Sequence, residues 1–294
     1  MPPADPVLDQ LFAAPFRLCL PAGPSSPFIF AVPHAGRVYP PSFLAVSRLE
    51  ARTLRRSEDA FSDELFEGVA ELGCPLIAAC FPRAYVDANR APTEIDAGLF
   101  DGPLTVAADA PGPRVGTGLG VIPRVVRDGV DIYAGKLPAA EAEQRLARLY
   151  HPYHTALAGL VEETRRRFGC AVVVDCHSMP SLPRAAEIVF GDCHGSALSP
   201  ALMRHIEHAF AAAGFATARN TPYSGGHTTR RYARRDEGVQ AVQIEVNRGL
   251  YLDEDRVEKT AGFAAVKGRL TAALGRMVGY EVAALLPRRP LAAE

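Results

Sequence analysis

Apolar positions along this chain come in two patterns: short unbroken runs, and longer stretches with helical spacing. The run Ala171-Val172-Val173-Val174 passes straight into Asp175-Cys176-His177 and a polar turn that ends at Pro180 and Ser181. Such a run predicts a buried strand that delivers side chains to the edge of a sheet. Residues two apart share a face of a pleated strand, so Asp175 and His177 point together while Cys176 points back with Val174. A second run, Phe28-Ile29-Phe30-Ala31-Val32, leads to Pro33-His34, where Ala35 and Gly36 let the backbone turn close to whatever the histidine faces. One such histidine is usually a packed core or loop residue. Two strands that each end in one point to a shared centre.

Further runs at Cys74–Phe81, Glu187–Asp192 and Val239–Arg248 predict three more strands. Along the last, Val239, Ala241, Gln243 and Glu245 share a face. A carboxylate near the end of so apolar a strand is costly if buried and unpaired, so Glu245 needs a partner or a task. Helical spacing predicts helices over about 47–72 (apolar Leu54, Phe61, Leu65, Phe66, Val69 and Leu72), 138–168, 200–213 and 254–277. His151, His154, His194, His205 and His208 fall in or beside these stretches and are expected at the surface or in packing. The alternation of strands and long helices predicts an α/β fold, a central mixed sheet flanked by helices. No repeat or linker interrupts the 294 residues, so a single domain spanning 1–294 is expected, with a proline-rich extended arm up to about residue 26.

The apolar fraction of 48% provides for a sizeable core. A net charge of -1 removes the electrostatic case for a nucleic-acid partner or an anionic membrane. No apolar run is long enough to span a bilayer, and Met1-Pro2-Pro3-Ala4-Asp5-Pro6 lacks the basic and apolar regions of a secretory leader. The six cysteines show no Cys-x-x-Cys spacing and sit largely in apolar runs, which fits reduced thiols in a cytoplasmic protein.

Within the first helical stretch lies Ser57-Glu58-Asp59. Ser57 reads as an N-cap with acids near the helix's positive end. The other reading makes Asp59 or Glu58 the oxygen ligand of a two-histidine, one-carboxylate zinc site with His34 and His177. Between residues 82 and 92, Arg83, Asp87, Asn89 and Arg90 crowd together, either as a solvated loop or with Arg90 and Asn89 forming a two-donor fork for a substrate carboxylate. Residues 93–131 are loop-rich and suited to lining a pocket. Gly116-Thr117-Gly118-Leu119-Gly120 lacks the glycine spacing, lysine and following helix of a phosphate-binding loop. Residues 220–232 pair two glycines with Ser, Thr, His and Arg donors, the composition of a functional loop or of a flexible surface one.

These blocks together resemble the N-formylglutamate amidohydrolase family. The likeness rests on Pro33-His34-Ala35-Gly36, on Ser57-Glu58-Asp59 followed by Asp63-Glu64-Leu65-Phe66, and on Tyr85-Val86-Asp87-Ala88-Asn89-Arg90. It continues through Gly118-Leu119-Gly120-Val121-Ile122-Pro123-Arg124, Asp175-Cys176-His177-Ser178-Met179, Tyr223-Ser224-Gly225-Gly226-His227 and Gln243-Ile244-Glu245-Val246-Asn247-Arg248. The resemblance implies a zinc-carboxypeptidase-like α/β fold holding one catalytic zinc, with His34 and His177 as imidazole ligands and Asp59, or Glu58 beside it, as the acidic ligand. It implies Glu245 as general base, with His227 or an arginine meeting the oxyanion. Arg90, Asn89, Arg230 and Arg231 would bind the substrate. The implied reaction cleaves N-formyl-L-glutamate, or a similar small N-acyl acidic amino acid, to formate and the amino acid, a step of histidine degradation. The alternatives are the same chemistry on another N-acyl amino acid and a non-catalytic binding relative. A cysteine hydrolase built on Cys176 is disfavoured by the strand parity.

Overall fold

The five apolar runs, joined by two short edge strands that the pattern does not predict, pair into one seven-stranded sheet in the computed structural model, which describes residues 4–109, 112–126, 129–181 and 186–286. Residues 1–3 of the proline-rich segment and 110–111 and 127–128 of the long loop lie outside these. The strands are β1 (Phe16–Cys19), β2 (Phe28–Val32), β3 (Leu76–Ala79), β4 (Ala171–Met179), β5 (Ile188–Gly191), β6 (Thr217–Arg219) and β7 (Val239–Asn247). Their spatial order is β1-β3-β2-β4-β7-β5-β6. The pairs at the centre, β3 with β2, β2 with β4 and β4 with β7, are parallel, while β1 and β5 run against their neighbours β3 and β7.

The two sheet faces carry separate cores, and the strand alternation sorts residues between them. Val172, Val174 and Cys176 of β4 join Val242, Ile244 and Val246 of β7 under the helices Pro200–Ala212 and Phe263–Val278. Ala171, Val173, Val239 and Ala241 face the other way, with Leu157 and Val161 of the helix His151–Phe168. On this second face both strands switch from apolar to polar at the same level. Asp175 pairs in register with Gln243, and His177 with Glu245. The apolar half is covered by helix; the polar half, at the carboxyl ends of the parallel strands, opens into a cavity.

Three expectations change. The N-terminal segment is not an extended arm: Pro6–Ala13 is a helix capped by Asp5, whose Oδ1 accepts from Leu8 N at 3.0 Å, and β1 is the sheet's edge strand. Proline at the first helical position starts a helix rather than preventing one. The stretch 47–72 is not one helix but Ala51–Arg55, Ser62–Phe66 and a 3-10 turn Glu67–Ala70. Leu54 packs in one core and Leu65, Phe66 and Val69 in the other, so the chain crosses the end of the sheet between them. Ser57 donates to Leu54 O at 2.7 Å and closes the first piece instead of capping the second. The last helix begins at Phe263, not near 254, because Asp253 Oδ1 accepts from the backbones of Asp255 and Arg256 and turns the chain there.

Candidate functional site

The crossing segment is what completes the site. Asp59 N donates to His34 O at 3.0 Å, which ties the end of β2 to the break between the two short helices. One donor atom each from His34, Asp59 and His177 then lies within 4.8 Å of the others, and all three residues are buried. Both imidazoles turn Nδ1 toward the same oxygen, Asp59 Oδ2, at 3.3 Å for His34 and 2.8 Å for His177. Both anchor Nε2 on a carboxylate behind them: His34 on Asp87 Oδ1 at 2.7 Å, His177 on Asp175 Oδ1 at 2.9 Å. A carboxylate behind each ring holds the proton on Nε2 and leaves the Nδ1 lone pair facing the centre. Two lone-pair nitrogens against one carboxylate oxygen repel unless a positive charge sits among them. The set therefore fits a divalent cation.

The surrounding charges follow from that crowding. Burial alone would push the Asp59 carboxyl up, but the two imidazoles hold it well below the usual range. Burial works against charge on His177 as well, yet Asp175 and Asp59 favour its charged form and hold its pKa well above the ordinary imidazole value, a demand for positive charge that a cation would meet. Asp87 is held low against burial by Arg90, Arg83 and His34. Arg248 clamps the far side of Asp59, its Nη2 donating to Oδ1 at 2.8 Å while Nε donates to Ser178 Oγ at 3.1 Å.

Glu245 stands on the same face, one strand over from His177. Burial raises its carboxyl to about 7, against the pull of His177, and Asp59 adds to the rise. Its Oε1 accepts from Gln243 Nε2 at 2.7 Å. These groups open on a cavity of about 440 Å3, within the range that takes a small molecule.

The structure brings His34, Asp59, His177, Glu245, Asn89 and Arg90 to that cavity. Asn89 is spent on the protein: Oδ1 accepts from Thr228 N at 2.7 Å, while Nδ2 lies 2.9 Å from His177 Nε2 and donates to Asp175 Oδ2 at 3.3 Å. Glu58 lies elsewhere, accepting from Tyr39 Oη at 2.8 Å and from Arg55 Nε at 3.2 Å. His227, Arg230 and Arg231 do not reach the cavity wall. The short helix His227–Tyr232 turns Thr228 and Thr229 inward and leaves both arginines exposed. His227 Nε2 sits 3.3 Å from Tyr150 Oη instead. Cys176 faces the opposite core, where burial pushes its thiol well above the ordinary value.

Sequence reasoning assigned no task to Arg248, Arg56, Arg83 or Gln243, all on the cavity wall. Gln243 carried a readable signal, being two residues before Glu245 on one strand, and Arg83 stood in the crowded segment 82–92. Arg56 ends the short helix Ala51–Arg55, Arg83 follows β3 and Arg248 opens the 3-10 turn after β7, and their meeting at the cavity is tertiary.

Fold and site define a class: α/β enzymes with a two-histidine, one-carboxylate centre, able to hold a metal, beside a buried acid. Comparison with known proteins narrows it. Residues 26–252 match the family model described as N-formylglutamate amidohydrolase, and the chain belongs to that family. It is therefore a hydrolase acting on a linear amide. It is 32% identical to an N-formylglutamate deformylase of Pseudomonas aeruginosa over 237 residues, 78% of this chain and 83% of the relative. It is 27% identical to a Pseudomonas putida enzyme of the same name over 237 residues, 78% and 82% of the two chains. The crystal structure of an N-formylglutamate amidohydrolase from Ralstonia eutropha JMP134 superposes with a TM-score of 0.85 at 36% identity, covering 91% of this chain and 98% of that one. No described helix is long and apolar enough to cross a membrane.

Proposed function

We propose that this chain, as one amidohydrolase domain, hydrolyses N-formyl-L-glutamate or a closely similar N-acyl acidic amino acid to formate and the free amino acid, with one zinc ion. The observation that carries the reading is the convergence of His34 Nδ1 and His177 Nδ1 on Asp59 Oδ2, with Glu245 on the neighbouring strand. His34, Asp59 and His177 would hold the ion, and Asp59 is preferred to Glu58 because Glu58 is committed to Tyr39 and Arg55. A divalent ion so held would supply Lewis acidity for the amide carbonyl and would make water more acidic.

The chain's own groups do the rest. Asp87 and Asp175 fix the ring tautomers. Glu245, raised by burial, takes a proton from the attacking water and returns it to the leaving nitrogen. Arg83, on the cavity wall with Nε 3.1 Å from Asp87 Oδ2, takes the charge-stabilising role in place of His227. Arg90 meets the α-carboxylate. We place the reaction in the cytoplasm, consistent with six free cysteines.

The test is formate release from N-formyl-L-glutamate, with N-acetyl-L-glutamate alongside, before and after chelation and after zinc is restored. Zinc-restored turnover of the formyl substrate supports the reading. Turnover that survives complete chelation, or none on any N-acyl acidic amino acid, overturns it.

A further inference from the structure

Five guanidinium groups line the cavity, those of Arg56, Arg83, Arg90, Arg114 and Arg248. Three already have protein partners for some of their donors. Arg83 meets Asp87 at 3.1 Å, and Arg248 meets Asp59 at 2.8 Å. Arg90 donates to Leu119 O at 3.0 Å and to Asn89 O at 2.9 Å, with Asp87 at 3.8 Å. Arg56 and Arg114 are different: among the described residues neither side chain has an acid within ion-pair distance or a hydrogen-bond acceptor. Arg56 is the stronger anomaly. It is half-buried, and its Nε is out of reach of solvent while donating to nothing. An arginine donor denied both water and a partner is costly unless something else completes it.

The two uncommitted arginines belong to different walls. Arg114 is exposed beside Arg90, close enough for the like charges to be felt, and its carbonyl accepts from Leu119 N at 2.8 Å. Arg56, three residues before Asp59, also borders a second, smaller cavity lined by Arg55, Glu58, Arg248, Glu254, Leu252 and Val257, with neither acid within ion-pair distance of its guanidinium. Arg248 measures how near it is to the centre. The same guanidinium that holds Asp59 reaches Arg56 O through Nη1 at 3.5 Å.

Two cationic walls flanking one hydrolytic centre suit a substrate with two carboxylates at unequal distances from the scissile amide. We infer that Arg56 is the specificity residue that reads the side-chain carboxylate, while Arg90 and Arg114 serve the α-carboxylate. This rests on the proposed deformylase reading and adds to it the residue that selects an acidic side chain. Arg56 does not touch the reacting atoms, so its effect falls on substrate choice and not on the chemical step.

The experiment compares kcat/KM of the zinc-loaded full chain on N-formyl-L-glutamate and N-formyl-L-glutamine, isosteres that differ in the side-chain charge. Arg56→Gln should lower kcat/KM for the glutamate substrate about tenfold to a hundredfold, chiefly through KM, and leave the glutamine substrate within about twofold. Arg56→Lys should recover part of the loss, since a point charge replaces a planar fork. Arg114→Gln should weaken both substrates alike. An equal loss on both substrates in Arg56→Gln, or no loss on either, overturns the inference and leaves the deformylase reading standing. A wild-type chain that releases formate from neither substrate overturns both.

Discussion

The Nε2 of His34 lies 2.7 Å from Oδ1 of Asp87, and this contact decides which nitrogen of the ring faces the centre. Asp87 reaches it from the segment after β3, and accepts from Asn89 N at 2.9 Å and from Arg83 as well. Asp87→Asn keeps the shape but removes the charge that fixes the proton on Nε2. Metal affinity should fall about tenfold to a hundredfold while far-ultraviolet circular dichroism is unchanged. Competition with a calibrated chelator measures it, and wild-type affinity in the variant would show that the tautomer is set some other way.

Gly226 tests the wall from the other side. A Cβ placed there would meet Asn89 Nδ2 at 2.3 Å and Oδ1 at 2.6 Å, closer than real Cβ contacts come. Its φ of -89° is ordinary, so backbone strain plays no part. Gly226→Ala should push the Asn89 amide off Asp175 Oδ2 and Thr228 N. We expect a loss of about 1–3 kcal/mol in stability, typical of overpacking, with a more than tenfold fall in kcat/KM. Urea unfolding and kinetics on the same preparation separate the two, and a variant with full activity would mean the amide is dispensable.

These contacts mark where the sequence was legible and where it was not. Period-two alternation was enough to put Asp175 with His177 and Gln243 with Glu245, because a strand has one way to sort its side chains once one face is apolar. Helical spacing over 47–72 concealed the break because Leu54 and Leu65 are both buried apolar residues, and periodicity does not reveal that they enter different cores. That break is what carries Asp59 to the histidines. His227 misled for a related reason: a Gly-Gly-His loop has the composition of a site whichever way it turns. Here the backbone of Thr228, one residue on, caps Asn89 while the imidazole goes to Tyr150.

His154 links stability to pH away from the His34, Asp59 and His177 group. Its Nε2 donates to Ala88 O at 2.8 Å and its Nδ1 accepts from Tyr232 Oη at 3.0 Å, inside the segment that carries Asp87 and Asn89. Burial drives its pKa down to about 3, from about 6.5 in the unfolded chain. Below pH 6.5 the unfolded state takes up a proton that the folded state refuses until near pH 3, so this group's contribution to stability falls as pH drops through that window. Between pH 7 and 5 the loss from this residue should be about 2 kcal/mol. His154→Gln, which keeps a donor and an acceptor without a titrating group, should lose that much less across the same interval in urea melts. Equal pH slopes in the two proteins would place the sensitivity in other groups.

The last prediction separates ligand from base. Glu245 and His177 are register partners on adjacent parallel strands, so strand register alone does not separate the two roles, although Glu245 stands outside the group of donor atoms formed by His34, Asp59 and His177. What distinguishes them is the hydrogen bonding. The imidazoles and Asp59 aim their donor atoms at one point, whereas Glu245 spends Oε1 on Gln243 and is pushed up to about 7 by burial, the poise of a group that takes and returns a proton. Glu245→Gln is isosteric and removes only that capacity. Turnover should fall about a hundredfold to ten-thousandfold, the usual range for a lost acid–base group, while bound metal per chain stays at the wild-type value. Elemental analysis beside the rate measurement decides it: metal lost together with activity would make Glu245 a fourth ligand, and activity retained would move the base elsewhere on the cavity wall.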